Sequence, residues 1–341
     1  MRDAVLVLEA DRSSIRFAVF RRCAAGAVTG DLRGGLTHLH GHARFRVHDA
    51  AGRRLADIDC ADETAPGHAI AIEFLFNWLA LHAPDLAVRA IGHRFADDGG
   101  RFAGPVRVDA AVLADLDAGA AVDPGGCARL SLAQLLDRRA PRLPQIACFD
   151  STFHAAMPPL ARAFDALTRP PPRVAYPHGL AYEDLLARLS ELDARAAGGR
   201  IVAVHLHAAV ALCAMAGGRV VAATPDFRRR MRLGDAARRA GGPVAPAPGD
   251  LLRYRVAREI GSLVAALGGL DAVAFAVGGD ARGARLRDEV LRDMAWLAVE
   301  RDPAEGRGPR LSRPESPVAA YLVPVDPARS VARRAFEIAA S

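Results

Sequence analysis

The sequence predicts an α/β protein of two domains, built from sheets with flanking helices. Three observations carry this reading. Short β-rich runs at residues 4–8, 15–20, 88–95, 146–149, 201–205 and 271–277 alternate along the chain with segments of helical length. The chain has 341 residues, enough for one large or two ordinary domains with a full core. Hydrophobic residues make up 51% and charged residues 25%, near globular averages, so extended disorder is not expected.

In chain order, residues 4–8 and 15–20 read as two strands joined by turn residues 11–14, a β-hairpin start. In the run 36–48, His38, His40 and His42 fall at period two, which places them on one face of a strand. Imidazoles so spaced can converge on a metal. No further ligand cluster follows, and a solvated edge-strand face is the simpler reading. Residues 69–82 form a helix that ends before Pro84. Residues 88–95 form a strand delivering His93 and Arg94 to its carboxyl end, and Asp97-Asp98-Gly99-Gly100 is a turn. A guanidinium there suits a carboxylate or phosphate, which it grips with two N–H bonds; pairing with Asp97 or Asp98 is the other reading.

Residues 108–117 and 130–139 read as helices, and they lead to the stretch PQIACFDSTFHAAMP at 144–158. Its apolar run 146–149 ends in Asp150, Ser151, Thr152 and His154, the pattern of a buried strand opening into a ligand-binding cleft. Asp150 can serve there as a base, a metal ligand or a phosphate-side positioner. Equally, Asp150 or Ser151 can simply cap the next helix. Residues 160–167 are helical, 169–173 form a proline-rich extended connector, 176–179 a turn, and 181–192 an amphipathic helix. A strand at 201–205 is followed by a hairpin that turns at 215–218 into 219–223. Arg228, Arg229, Arg230 and Arg232 form the densest positive cluster, either a solvated loop or a surface facing an anion. A loop at 243–248 precedes a long helix at 250–267. The order strand 271–277, Gly278-Gly279 turn, helix 283–298 can present backbone N–H groups to a phosphate, although ordinary turns use the same glycines. A strand at 320–323 and a helix from about 328 close the chain.

Composition bounds the partners. There are 45 basic and 39 acidic residues, for a net charge of +6, which leaves room for an anionic ligand. Arginine is spread along the whole chain rather than gathered with aromatics, so no nucleic-acid partner is expected. No apolar run approaches bilayer length, so no membrane partner is expected and a cytoplasmic location is. Cysteines 23, 60, 127, 148 and 213 include no CxxC pair and read as reduced, mostly buried thiols rather than a disulfide or zinc framework.

The order of these pieces resembles the acetate kinase family, with its propionate and butyrate kinase relatives, in the actin-like superfamily that also contains sugar kinases. The stretch PQIACFDSTFHAAMP is similar to that family's PQVAVFDTAFHQTMP-type segment. Gly92-His93-Arg94 with Gly99-Gly100 looks like GHRxxHGG, Ser13-Ser14-Ile15-Arg16-Phe17 like SSLKF, and residues 267–272 like a GGVDA-type strand entry. The resemblance implies two actin-like (ribonuclease H-like) domains facing across a cleft. The first would hold residues 1–149 with the helix 327–341 returning to it, and the second, the nucleotide side, residues 150–326. It implies transfer of the γ-phosphoryl group of ATP, with Mg²⁺, to a short-chain carboxylate such as acetate or propionate, and a homodimer. By motif position, Arg94 would hold the acyl substrate and Asp150 would lie near substrate and metal. His178, in Tyr176-Pro177-His178-Gly179, matches the first histidine of FHGTSH, and Arg232 the arginine of TRSGD. Ser13 and Ser14, His205, and Gly278 with Gly279 fall on the phosphate and nucleotide loops.

The chain also departs from the family pattern. Glu9 and Asp11 replace the asparagine and glycine of the first phosphate loop, and Arg12 replaces a serine. The HLGNGSS loop becomes residues 205–211, HLHAAVA, where alanines do not follow positive φ angles cheaply. The second histidine of FHGTSH falls on Tyr182, the histidine of HNP on Val122, GIGENS on residues 278–282, and the metal-positioning glutamate on Pro327. The resemblance therefore leads to an acetate kinase-like phosphotransferase. The alternatives are a family member that binds a carboxylate or anion without transferring phosphate, and a regulatory or structural partner.

Overall fold

The computed structural model describes residues 2–23, 26–60, 67–120, 125–168, 176–206, 210–226, 248–277, 281–302 and 308–340. The chain divides into two compact units, Met1–Thr152 with Pro327–Ser341, and Phe153–Asp326.

The first unit is built on an eight-stranded sheet of order β5-β4-β3-β2-β1-β6-β8-β7. Strands β1 (Arg2–Asp11), β2 (Ser14–Arg22), β3 (Val28–Thr37), β4 (Ala43–Asp49) and β5 (Arg54–Cys60) form an antiparallel meander. On the other side of β1, β6 (Leu86–Phe95) and then β8 (Gln145–Phe149) run parallel to it, and the two-residue β7 (Val106–Arg107) is antiparallel to β8. One face is covered by α1 (Gly67–His82) and α3 (Gly126–Arg139), where Leu6, Leu8, Phe17 and Phe45 pack with Ile72, Leu75, Trp78 and Leu136. The remaining helices of this part are α2 (Ala110–Ala120) and the short α4 (Asp150–Phe153), which crosses the boundary between the units.

The C-terminal helix, which we label α10 (Pro327–Ala339), covers the opposite face over β1, β6 and β8. Gly92 on β6 makes this approach possible, because a Cβ there would lie 2.5 Å from Cγ1 of Val331, itself fully buried. Gly92→Ala is expected to lower stability by about 1–3 kcal/mol, the usual range for overpacking a tight interface, read as a lower thermal midpoint.

The second unit repeats the pattern in a smaller sheet of order β11-β10-β9-β12-β13. Strand β9 (Arg200–Leu206) is antiparallel to β10 (Val210–Ala216), and β11 (Arg219–Ala223) adds to β10 in the same sense. On the other side of β9, β12 (Ala272–Val277) and β13 (Ala319–Leu322) run parallel. An antiparallel meander, of five strands in the first unit and three in the second, is followed by two parallel strands in each, which is the duplicated α/β arrangement of the actin-like fold. Helices α5 (Pro159–Thr168), α6 (Gly179–Leu192), α7 (Ala194–Gly198), α8 (Pro248–Leu267) and α9 (Ala281–Asp293) flank this sheet. β9, β12 and β13 are apolar on both faces because helices cover both, α8 on one side and α6 on the other.

Several expectations are corrected. His38, His40 and His42 do not share a strand face. Residues 38–42 are the connection between β3 and β4, entered through His38 at φ 59°, and the His40 ring contacts the Arg12 carbonyl oxygen at 2.9 Å. Local composition mimics a strand here, but a hairpin needs its turn at this point. The helix expected at 283–298 runs from Ala281 to Asp293; a 3-10 turn follows at Ala295–Leu297, and Ala298 at φ 60° ends it. None of the cysteines is in a disulfide, and only the thiols of Cys148 and Cys213 are buried. Burial pushes the Cys213 thiol well up, so it stays protonated.

Candidate active site

Within the first unit, the carboxyl ends of the parallel strands β1, β6 and β8 bring charged groups together. Strand register explains how. Glu9 pairs with Arg16 across the antiparallel β1–β2 ladder, so their side chains share a face. Leu8 pairs with His93 and Arg94 with Cys148, which puts Glu9 and Arg94 side by side and Asp150, two residues beyond Cys148, on the same face.

The contacts follow that order. Arg94 Nε and Nη2 donate to Asp150 Oδ2 at 3.2 and 2.9 Å, and Arg94 Nη1 donates to Glu9 Oε1 at 3.3 Å. The second Glu9 oxygen meets Arg16 Nη2 at 3.1 Å. The Asp150 side chain is 4% exposed and that of Arg94 20%, so this is a largely desolvated ion pair rather than a surface one. Both carboxylates of the neighbouring turn accept backbone N–H groups. Asp97 accepts from the Gly99 N–H, and Asp98 accepts from Gly100 N, Phe102 N and Ser151 Oγ. Burial pushes the Asp98 carboxyl up, but the Phe102 and Gly100 N–H groups and the Ser151 hydroxyl outweigh it and hold it below the ordinary range. Asp98 and Ser151 thereby lock the Gly99-Gly100 turn, at φ 69° and 73°, to the start of α4, next to Asp150.

His93 points to the opposite face from Arg94. It is buried, and Nε2–H donates to Gln145 Oε1 at 2.7 Å, while Gln145 Nε2 donates to the Ala133 carbonyl of α3. Burial pushes the His93 imidazole down to about 4, so it is neutral at physiological pH and ties β6 to β8 and α3. Ser13 lies in the β1–β2 turn, where its carbonyl accepts from Leu39 N, and Ser14 Oγ donates to Asp11 Oδ2 at 3.4 Å.

In the second unit, His178 and His205 come together. Their rings stack with centroids 3.9 Å apart and planes 15° from parallel. His205 is delivered by β9, directly before its last residue Leu206, and His178 precedes α6 in the left-handed region at φ 69°. A non-glycine residue there is uncommon and marks a held conformation. His154 helps to hold it: Nε2 lies 3.4 Å from the Pro177 carbonyl, and the ring sits edge-on to fully buried Tyr182. From sequence, Ser151 and His154 are read only as members of the polar cluster after β8 and Asp98 only as a turn residue; their supporting contacts are not legible there. The signal available was position alone, within four residues of Asp150 or Arg94. Arg232, the Arg228–Arg230 cluster, and Gly278 and Gly279 lie outside the described residues.

With this geometry in view, the comparisons are specific. The model of the acetokinase family matches residues 4–228. The chain belongs to the acetokinase family. An acetate kinase from Rhodopseudomonas palustris (strain ATCC BAA-98 / CGA009) is 32% identical over 399 aligned positions, covering 99% of each chain. An acetate kinase from Rhizobium meliloti is 28% identical, covering 98% of each. An alignment of 399 positions against a chain of 341 residues means that this acetokinase-family protein carries internal deletions. Among solved structures, Porphyromonas gingivalis acetate kinase matches with a TM-score of 0.79 at 20% identity, covering 98% of this chain and 99% of that one. A propionate kinase from Francisella tularensis subsp. tularensis SCHU S4 matches with a TM-score of 0.80 at 16% identity and the same coverage. Those two likenesses establish the fold. Family membership supports a carboxylate-kinase-like function.

Proposed function

We propose that this protein phosphorylates a short-chain carboxylate, such as acetate or propionate, to an acyl phosphate at the expense of ATP. The observation that supports it best is the Arg94–Asp150 pair, set at the carboxyl ends of adjacent parallel strands, where open α/β sheets bind ligands. In this reading the Arg94 guanidinium positions the acceptor carboxylate. A carboxylate oxygen attacks the γ-phosphorus in line, the bond to the bridging oxygen breaks, and ADP leaves with that oxygen. Such a transfer demands positioning and fixed charge rather than covalent chemistry. His178, with His205 stacked on it, is assigned to donate toward the phosphoryl oxygens, and Arg232 is assigned as a second cation.

Among the described residues no group of three His, Cys, Asp or Glu assembles a metal cage. Magnesium carried in by the nucleotide keeps several waters and takes only one or two protein carboxylates. Asp150 is the carboxylate that would hold it, and the ion would neutralise charge on the phosphate oxygens. The reading carries with it a cytoplasmic homodimer, as the family implies.

The test is hydroxamate formation from acetate or propionate with ATP, Mg²⁺ and hydroxylamine. ATP-dependent product is expected, and Asp150→Asn should reduce it by about 10²-fold or more, the scale of losing a charged group at the reacting centre. Absence of ATP-dependent product from the folded wild-type protein would sink the kinase reading. It would favour the member that binds a carboxylate without transferring phosphate, a reading that draws on Glu9 standing at Arg94.

A further inference from the structure

The row Arg16–Glu9–Arg94–Asp150 contains two cations and two carboxylates and is formally neutral. Arg94 is the cation best placed to receive a carboxylate ligand, yet three of its N–H donors already serve carboxylates of its own chain. Asp150 takes the Nε and Nη2 side, and Glu9 takes Nη1. A ligand carboxylate entering this row with Glu9 in place makes it net negative, in surroundings where the Asp150 side chain is 4% and the Arg94 side chain 20% exposed. Like charges so close and so poorly solvated repel strongly. Without Glu9 the same row is net positive, and the ligand completes it.

We infer that Glu9 sets the affinity of this site: it is an internal carboxylate seated on Arg94 that a ligand carboxylate must displace, so that this protein binds short-chain carboxylates more weakly than the same site would without the Glu9 charge. The inference rests on the proposed role of Arg94 as the carboxylate-binding residue. Glu9 is well held for such a part. Its other oxygen is fixed by Arg16, its backbone lies in the β1–β2 ladder, and its side chain is partly accessible, so displacement is sterically open. Glu9 acts through Arg94 and is a positioning residue, not a catalytic one.

The measurement is the dissociation constant of propionate, by NMR titration of the full chain, for wild type, Glu9→Gln and Glu9→Gln combined with Arg94→Ala. Glu9→Gln keeps the shape and a hydrogen-bonding oxygen while removing the charge, and it should bind propionate about tenfold more tightly. General structural damage weakens binding, so a gain of affinity is a readout that disruption does not mimic. In the double variant the gain should vanish. Glu9→Asp, which withdraws the carboxylate by one methylene, should shift affinity in the same direction by less, and it serves if Glu9→Gln does not fold. Unchanged or weaker binding on removing the Glu9 charge overturns the inference, as does a gain that persists without Arg94. Propionate tightening in a protein that makes no ATP-dependent hydroxamate leaves the inference standing and defeats the kinase reading. Hydroxamate formation with no effect of Glu9→Gln does the reverse.

Discussion

Arg94→Ala is expected to lower kcat/KM for acetate or propionate by about 10³-fold, roughly 4 kcal/mol of lost transition-state stabilisation. The guanidinium bridges Glu9 and Asp150, and it sets the position of the Asp150 carboxylate through two N–H bonds to a single oxygen. Alanine removes both the fork that would orient an acceptor carboxylate and the charge that balances Asp150, whose side chain is 4% exposed. Breaking a buried pair by deleting one partner is costly, so a lower melting temperature should accompany the loss of activity. Arg94→Lys separates the two effects. It restores charge but not the planar fork, and should recover stability more fully than kcat/KM. Steady-state kinetics below the melting point of each variant checks this, and equal kcat/KM for Arg94→Lys and wild type would refute the bidentate role.

The second large effect is on stability against pH. Folded His93 resists protonation until about pH 4, whereas in the unfolded chain it takes up a proton near its ordinary value of 6.5. Between those values the unfolded state binds more protons, so stability is fully present above 6.5 and is lost as pH falls toward 4. Integrated over that interval the loss is roughly 3 kcal/mol. Among the depressed carboxylates, the partly buried Asp98, Asp193 and Asp271 lose their contributions mainly below the ordinary aspartate value of 3.8, outside this window. Urea unfolding at pH 7.5 and 4.5 should show wild type losing more stability than His93→Leu by about this amount. Leucine also strands the Gln145 oxygen and lowers stability at both pH values; the difference between the two drops is what tests His93. Equal drops would place the acid sensitivity elsewhere.

Most of the secondary structure was legible in the sequence. The hairpin of β1 and β2, strands β6, β8, β9 and β12 and helices α1, α3, α6 and α8 follow from local patterns of apolar and polar residues, and their observed bounds differ from expectation mainly at the ends. The same local reading failed at His38, His40 and His42, because period-two spacing says nothing about whether a hairpin must turn there. It also placed His93 and Arg94 together at a strand end. The structure sends them to opposite faces, one into the core against Gln145 and the other to the charged row.

The candidate site was legible as motifs but not as contacts. Arg94 and Asp150 were each recognisable, and so was the substitution of Glu9 for the family's asparagine. That Asp150 and Glu9 both bond Arg94, from 56 and 85 positions away, could be decided only by the parallel pairing of β6 with β1 and β8 and by its register. The sequence by itself determined the elements, the family and the residue types at the strand ends, because these depend on short-range sterics and on side-chain chemistry. The tertiary structure alone decided which charges meet. Strand partnership and register are chosen by burying both faces of a sheet, under α1 and α3 on one side and α10 on the other, and that choice turned Glu9 from a change in a loop motif into a partner of Arg94.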